Sequence, residues 1–90
     1  MFLLRRVAGQ SMLPAFRPGQ LVVISGRRRL RPGVIVVFRY GGEEYIKRLD
    51  RIRNGRMFVL GDNPATSTDS REFGGLDLDA VLGVVVWPRR

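Results

Sequence analysis

The sequence predicts a mainly β protein: a small antiparallel sheet, curled or folded upon itself as a barrel, with one or two short helical turns. Its apolar runs are short, β-branched and bounded by Gly, Pro or Asp, as strands are. Paired turn residues, Gly41-Gly42 and Asn54-Gly55, separate neighbouring runs as hairpin loops do. No stretch carries the spacing of a long amphipathic helix. Ninety residues hold one domain, expected to span 1–90.

In chain order, Phe2–Ala8 is the weakest strand candidate, because Arg5-Arg6 interrupts its apolar character. Ser11 to Phe16 could make a single helical turn with Pro14 near its start. Leu21–Ser25 and Val34–Tyr40 read as strands, each introduced by a Pro-Gly turn signal, Pro18-Gly19 and Pro32-Gly33. Glu44–Asp50 and Met57–Leu60 follow, and Val81–Trp87 closes the set after a possible turn at Asp77–Ala80. Between them, Gly61–Gly74 is polar and too long for a tight turn, which marks it as functional or disordered. Its Asp, Asn, Ser and Thr side chains can cross-link their own backbone, which favours order.

Composition removes much chemistry. There is no cysteine and no histidine, so disulfides, thiolate metal sites, imidazole bases and Ser-His-Asp arrangements are excluded. No metal or other cofactor is expected. Of the 16 basic residues only Lys47 is a lysine; the rest are arginines, which stay protonated and cannot act as bases. The net charge of +8 sits in residues 1–42, which carry no acid, while residues 43–90 balance to zero. Such asymmetry suggests an anionic surface as partner (membrane lipid, nucleic acid or an acidic protein), and the densest run, Arg27-Arg28-Arg29 with Arg31, reads as a peripheral contact with anionic membrane lipid. A solvated loop tip is the plain alternative. The longest apolar run, Val34 to Phe38, is far short of the ~20 residues of a spanning helix. Met1–Leu4 does not make a signal peptide, so a cytoplasmic or membrane-peripheral location is expected.

A serine nucleophile here would need a base other than imidazole, and a neutral lysine amine can serve. Its pKa must then fall from ~10.4 to about 7–8, which burial accomplishes most directly. On a strand, Lys47 shares a face with Tyr45 and Leu49, and Ile46 and Arg48 point the other way. Two apolar bodies beside the amine are consistent with desolvation.

Gly9-Gln10-Ser11-Met12-Leu13-Pro14 resembles the Ser-Met-x-Pro box of type I signal peptidases. Pro18-Gly19-Gln20-Leu21-Val22-Val23, Pro32–Phe38 and Tyr45-Ile46-Lys47-Arg48-Leu49 resemble the boxes that follow it. Gly61-Asp62-Asn63 with Ser67-Thr68-Asp69-Ser70-Arg71 resembles the last. The boxes occur in family order over residues 9–74. The resemblance implies the β-rich catalytic fold shared by signal peptidases and LexA-like domains, and a Ser/Lys dyad endopeptidase. By that carry-over Ser11 is the nucleophile and Lys47 the general base. Ser67 would orient the lysine amine, Asp69 and Arg71 would pair to brace the loop, and Ser70 would help hold that network. The Ser11 N–H would donate to the oxyanion. Met12 and Pro14 are expected along the substrate groove. Gly9 departs from the family pattern, leaving the second oxyanion donor unassigned, and Gln20 stands where the family usually has Asp, which removes any acidic role there. With no membrane anchor or accessory β-domain apparent, the chain resembles a minimal branch similar to the proteases that mature nickel-type superoxide dismutase.

The implied substrate is a protein bearing an N-terminal leader, cut after small residues. Two other readings stay open: a self-cleaving LexA-like regulatory domain, and a non-enzymatic basic β module binding nucleic acid. The first lacks an Ala-Gly bond in a hinge, since Ala8-Gly9 abuts the candidate nucleophile. The second leaves Gly61–Gly74 without a task and matches no recognised RNA-binding motif. Residue by residue, plainer roles also exist: Ser11 as an N-cap, Lys47 as a surface amine, Asp69 and Arg71 as a solvated pair.

Overall fold

The computed structural model describes residues 1–26 and 28–89. Arg27, part of the basic run, lies outside the described residues. Seven strands form one open antiparallel sheet: β1 (Phe2–Arg6), β2 (Leu21–Ser25), β3 (Ile35–Tyr40), β4 (Glu43–Arg53), β5 (Arg56–Leu60), β6 (Leu76–Asp77) and β7 (Val81–Trp87). Their spatial order is β1-β2-β7-β3-β4-β5-β6, with β1 and β6 at the edges, so the sheet does not close into a barrel. One short helix, α1 (Ser70–Phe73), lies in the Gly61–Gly74 loop. Single 3-10 turns occupy Pro64–Thr66 and Leu78–Ala80.

Turn chemistry fixes the central meander. Gly41 and Gly42 both take positive φ, 60° and 82°, in the two-residue loop that closes Tyr40 onto Glu43. That backbone twist matches the twist of the strands it joins. The next loop repeats the solution with Asn54 and Gly55, between Arg53 and Arg56.

Strand alternation then divides the apolar side chains between two clusters. Ile35 and Val37 join Val7, Met12, Phe16, Val22 and Ile24. Val36 and Phe38, one residue out of step, join Leu49, Met57, Val59, Leu76 and Val84. β3 is therefore buried on both faces, as its unbroken apolar run requires.

Ser11–Phe16 forms hydrogen-bonded turns without a longer helix: Leu13 N–H donates to Gln10 C=O at 3.2 Å, and Phe16 N–H to Met12 C=O at 2.9 Å closes the one helix-type turn that the sequence predicts. Pro14 has no N–H with which to continue it. The α1 helix and the two-residue β6 are too short to leave a periodic signal.

Candidate active site

Lys47 stands in β4 opposite Val36, with its same-face neighbours Tyr45 and Leu49 packed into the second cluster. The turn carrying Ser11 folds against it. Lys47 Nζ lies 2.7 Å from Ser11 Oγ, and the two residues are only 5% and 7% exposed. Among the described residues Ser11 Oγ is the one hydrogen-bond partner of this amine. Burial pushes the Lys47 pKa below its ordinary value; the Asp69 carboxylate opposes that shift, and the Arg71 guanidinium adds to it. An amine so placed donates to Ser11 Oγ when protonated and can accept from the hydroxyl when neutral.

Asp69, fully buried, organises the facing loop. It caps α1 by accepting from Arg71 N–H at 3.1 Å, and it accepts from Gly61 N–H at 2.8 Å and Ser67 Oγ at 2.6 Å. Arg71 closes the set with two guanidinium bonds. Burial alone would raise the Asp69 pKa, but the bonds from Arg71, Ser67 and Gly61 outweigh it and hold the carboxyl well below the usual carboxylate range. Arg71 therefore offsets a negative charge that would otherwise stabilise the Lys47 ammonium. Ser70 Oγ accepts from Val59 N–H at 2.8 Å, which docks the loop on β5. Phe73 stacks on Tyr40, with ring centroids 4.5 Å apart, and meets Phe38 and Tyr45 edge-on.

A second set of contacts ties this loop to the nucleophile's turn. Asn63 N–H donates to Ser11 C=O at 2.7 Å, and Asn63 Nδ2 donates to Gln10 C=O at 3.1 Å. The carbonyls on either side of the Ser11 N–H are thereby fixed by one residue. In a trans peptide the C=O and N–H point opposite ways, so holding Gln10 C=O against Asn63 turns the Ser11 N–H away from it. That N–H donates to no group among the described residues. Arg48, on the other face of β4, grips Asp62 with bonds of 2.9 and 2.8 Å and donates to Gly33 C=O, anchoring the segment next to Asn63. Gly61 must be glycine. A Cβ there would overlap Ser67 Oγ and lie 2.6 Å from Ser67 Cβ and 2.9 Å from Ser11 C=O.

A groove of about 370 Å³ opens over the Ser11–Lys47 pair. Ala8, Val37 and Ile46 give it an apolar wall, Thr66 and Thr68 a hydroxyl-bearing one, and Arg5 reaches its rim. Arg5 Nε donates to Glu44 there at 2.6 Å.

The structure brings Ser11 and Lys47 together and pairs Asp69 with Arg71. Three expectations need correction. Ser67 bonds Asp69 and not the Lys47 amine, because a buried carboxylate is the stronger acceptor within its reach. Met12 does not line the groove: successive turn residues point apart, and its side chain is fully buried against the first cluster. Pro14 is exposed and outside the groove lining. Gln20 Oε1 accepts from Arg17 N–H, a turn contact. The sequence alone assigns no contact to Asn63, Asp62, Thr66 or Thr68; Gly61-Asp62-Asn63, a Gly-bounded polar triplet opening the loop, is the one signal that points to them.

A family model described as Peptidase S24-like matches residues 1–86. No curated protein matches the chain.

Proposed function

The chain belongs to the Peptidase S24-like family, and from that premise we propose that it is a Ser/Lys dyad endopeptidase of signal-peptidase type. In this reading it removes an N-terminal leader from another protein, after small residues. The observation that carries the reading is the 2.7 Å contact between a buried lysine amine and a buried serine hydroxyl beneath an open groove.

An ordinary lysine is neutral in about one molecule per thousand near pH 7.4, and each unit of pKa lowering multiplies that fraction tenfold. The desolvated Lys47 amine accepts the Ser11 proton as Oγ attacks the substrate carbonyl. The Ser11 N–H donates to the developing oxyanion. The Lys47 ammonium then returns its proton to the leaving amine, giving an acyl-serine. Water, deprotonated by Lys47 in turn, releases the acyl group. The shallow wall of Ala8, Val37 and Ile46 accommodates a small side chain before the cut.

Self-cleavage is the competing reading. The chain's one Ala-Gly bond, Ala8–Gly9, belongs to the groove wall itself, too near Ser11 in sequence to lie extended across its hydroxyl. The test is incubation of wild type, Ser11→Ala and Lys47→Ala with a leader-bearing protein, followed by mass spectrometry of the products. The proposal expects cleavage by wild type alone, at a rate rising with enzyme concentration. Cleavage surviving in either variant would defeat the dyad. Concentration-independent trimming of the chain itself would replace trans cleavage with self-cleavage.

A further inference from the structure

The outer face of the β1–β2–β7 edge carries large apolar side chains in register. Leu4 stands opposite Val23, and Val23 opposite Trp87. Phe2 and Leu21 fall on the same face by alternation, while Val22 and Ile24 turn inward to the core. Phe2, Leu4 and Trp87 are each more than 60% exposed, and Leu21 43%. Contiguous exposure of this kind marks an interaction surface.

A cleft of about 450 Å³ adjoins this face, lined by Arg28, Arg29, Arg31 and Arg89 with no acidic residue. Val86 and Pro88, the chain neighbours of Trp87, form part of its wall, so the basic cleft abuts the end of the strand that carries Trp87. We propose that this combined face docks the protein on an anionic lipid bilayer. Lipid phosphates occupy the arginine cleft, and Trp87, Leu4 and Phe2 enter the headgroup–acyl boundary, where one aromatic ring with a polar N–H and its aliphatic neighbours are stable.

The chemistry favours a bilayer over other anionic or apolar partners. Nucleic acid would use aromatic faces for stacking, and the aliphatic Leu4, Leu21 and Val23 offer none. A second copy docking through the same face would bring two acid-free arginine clefts together. Arg5, which alternates with Leu4, and Arg6, which shares the parity of Leu4, both line the groove over Ser11, so the groove opens beside the β1 end of this face. The inference goes beyond the peptidase reading and does not depend on it.

Trp87 is the only tryptophan, so its emission reports this face alone. The wild-type chain is titrated at low salt with vesicles of phosphatidylglycerol and phosphatidylcholine, and with phosphatidylcholine vesicles. Co-sedimentation with the anionic vesicles only, a blue shift of Trp87 emission and release by high salt are expected. The triple variant Arg28→Gln, Arg29→Gln, Arg31→Gln should partition about 100-fold more weakly, at about 5-fold per arginine. Phe2→Ser with Leu4→Ser should weaken partition as well. No binding to anionic vesicles, or binding without a blue shift, overturns the proposal. A blue shift that grows with protein concentration in the absence of lipid assigns the face to a second copy instead.

Discussion

Asn63→Ala deletes one amide donor from a residue that is neither nucleophile nor base, and leaves its backbone N–H to Ser11 C=O in place. What is lost is the 3.1 Å bond from Nδ2 to Gln10 C=O, the contact that sets the tilt of the peptide carrying the Ser11 N–H. Outright removal of an oxyanion donor costs roughly 10²–10³ in rate. Here the donor remains but is less firmly aimed, because Gln10 C=O still accepts from Leu13 N–H at 3.2 Å. The expected loss is therefore about 10-fold in kcat, close to 1.4 kcal/mol in the barrier, with KM nearly unchanged. Folding stability should fall by about 1 kcal/mol, the usual net value of a hydrogen bond. Asn63→Asp should behave no better, since a carboxylate cannot donate to Gln10 C=O. Steady-state kinetics on a leader-bearing substrate, with Tm measured alongside, decides the matter. A wild-type kcat, or a raised KM at constant kcat, would refute the idea that Asn63 aims the Ser11 N–H.

Lys47→Arg should abolish cleavage on the proposed mechanism, since a guanidinium does not deprotonate; measurable turnover would remove the general-base role. Arg71→Ala removes a charge that lowers the Lys47 pKa and leaves the opposing Asp69 charge unneutralised, so the acid limb of the kcat/KM profile should move to higher pH. An unmoved limb would show that the pair does not tune the amine. Gly61→Ala forces a methyl against Ser67 and the Ser11 carbonyl, and should cost about 1–3 kcal/mol by denaturant unfolding together with most activity. Asp69 has a folded pKa below its unfolded value, so its stabilisation is complete above the ordinary carboxylate pKa of ~3.9 and fades as pH falls beneath it. Melting curves of wild type and Asp69→Asn should differ most near neutrality and converge in strong acid.

Much of this architecture is legible in the sequence because its causes are local. Short β-branched runs and the Gly-Gly and Asn-Gly pairs suffice to place the central hairpins. Lys47 stands out because the chain has no histidine and no other lysine, and period-two alternation puts Tyr45 and Leu49 beside it. The remainder depends on contacts between distant segments. Whether Ser67 bonds an amine or a carboxylate is settled by the depth of Asp69 in the folded loop, which sequence order does not encode. Met12 adjoins the nucleophile along the chain yet faces the opposite way, because a turn, unlike a strand or helix, has no repeating side-chain period. Asn63 acts through its main-chain N–H as much as its side chain, and any residue but proline offers that group. The β6 edge strand has only two residues, too few to show a pattern in the sequence.

The clasp between Asn63 and the carbonyls flanking Ser11 has a bearing on when the protein can act. Hydroxyl, amine and bracing loop come from three stretches of chain that meet only in the finished fold. In an unfolded or partly synthesised chain, the serine keeps an alcohol's ordinary acidity and the lysine, wetted by solvent, holds its proton. On the proposed mechanism such a chain is chemically harmless. Hydrolytic capacity arrives only when the last of the three segments locks home, a built-in safeguard for any cell that must make a protease among its own proteins.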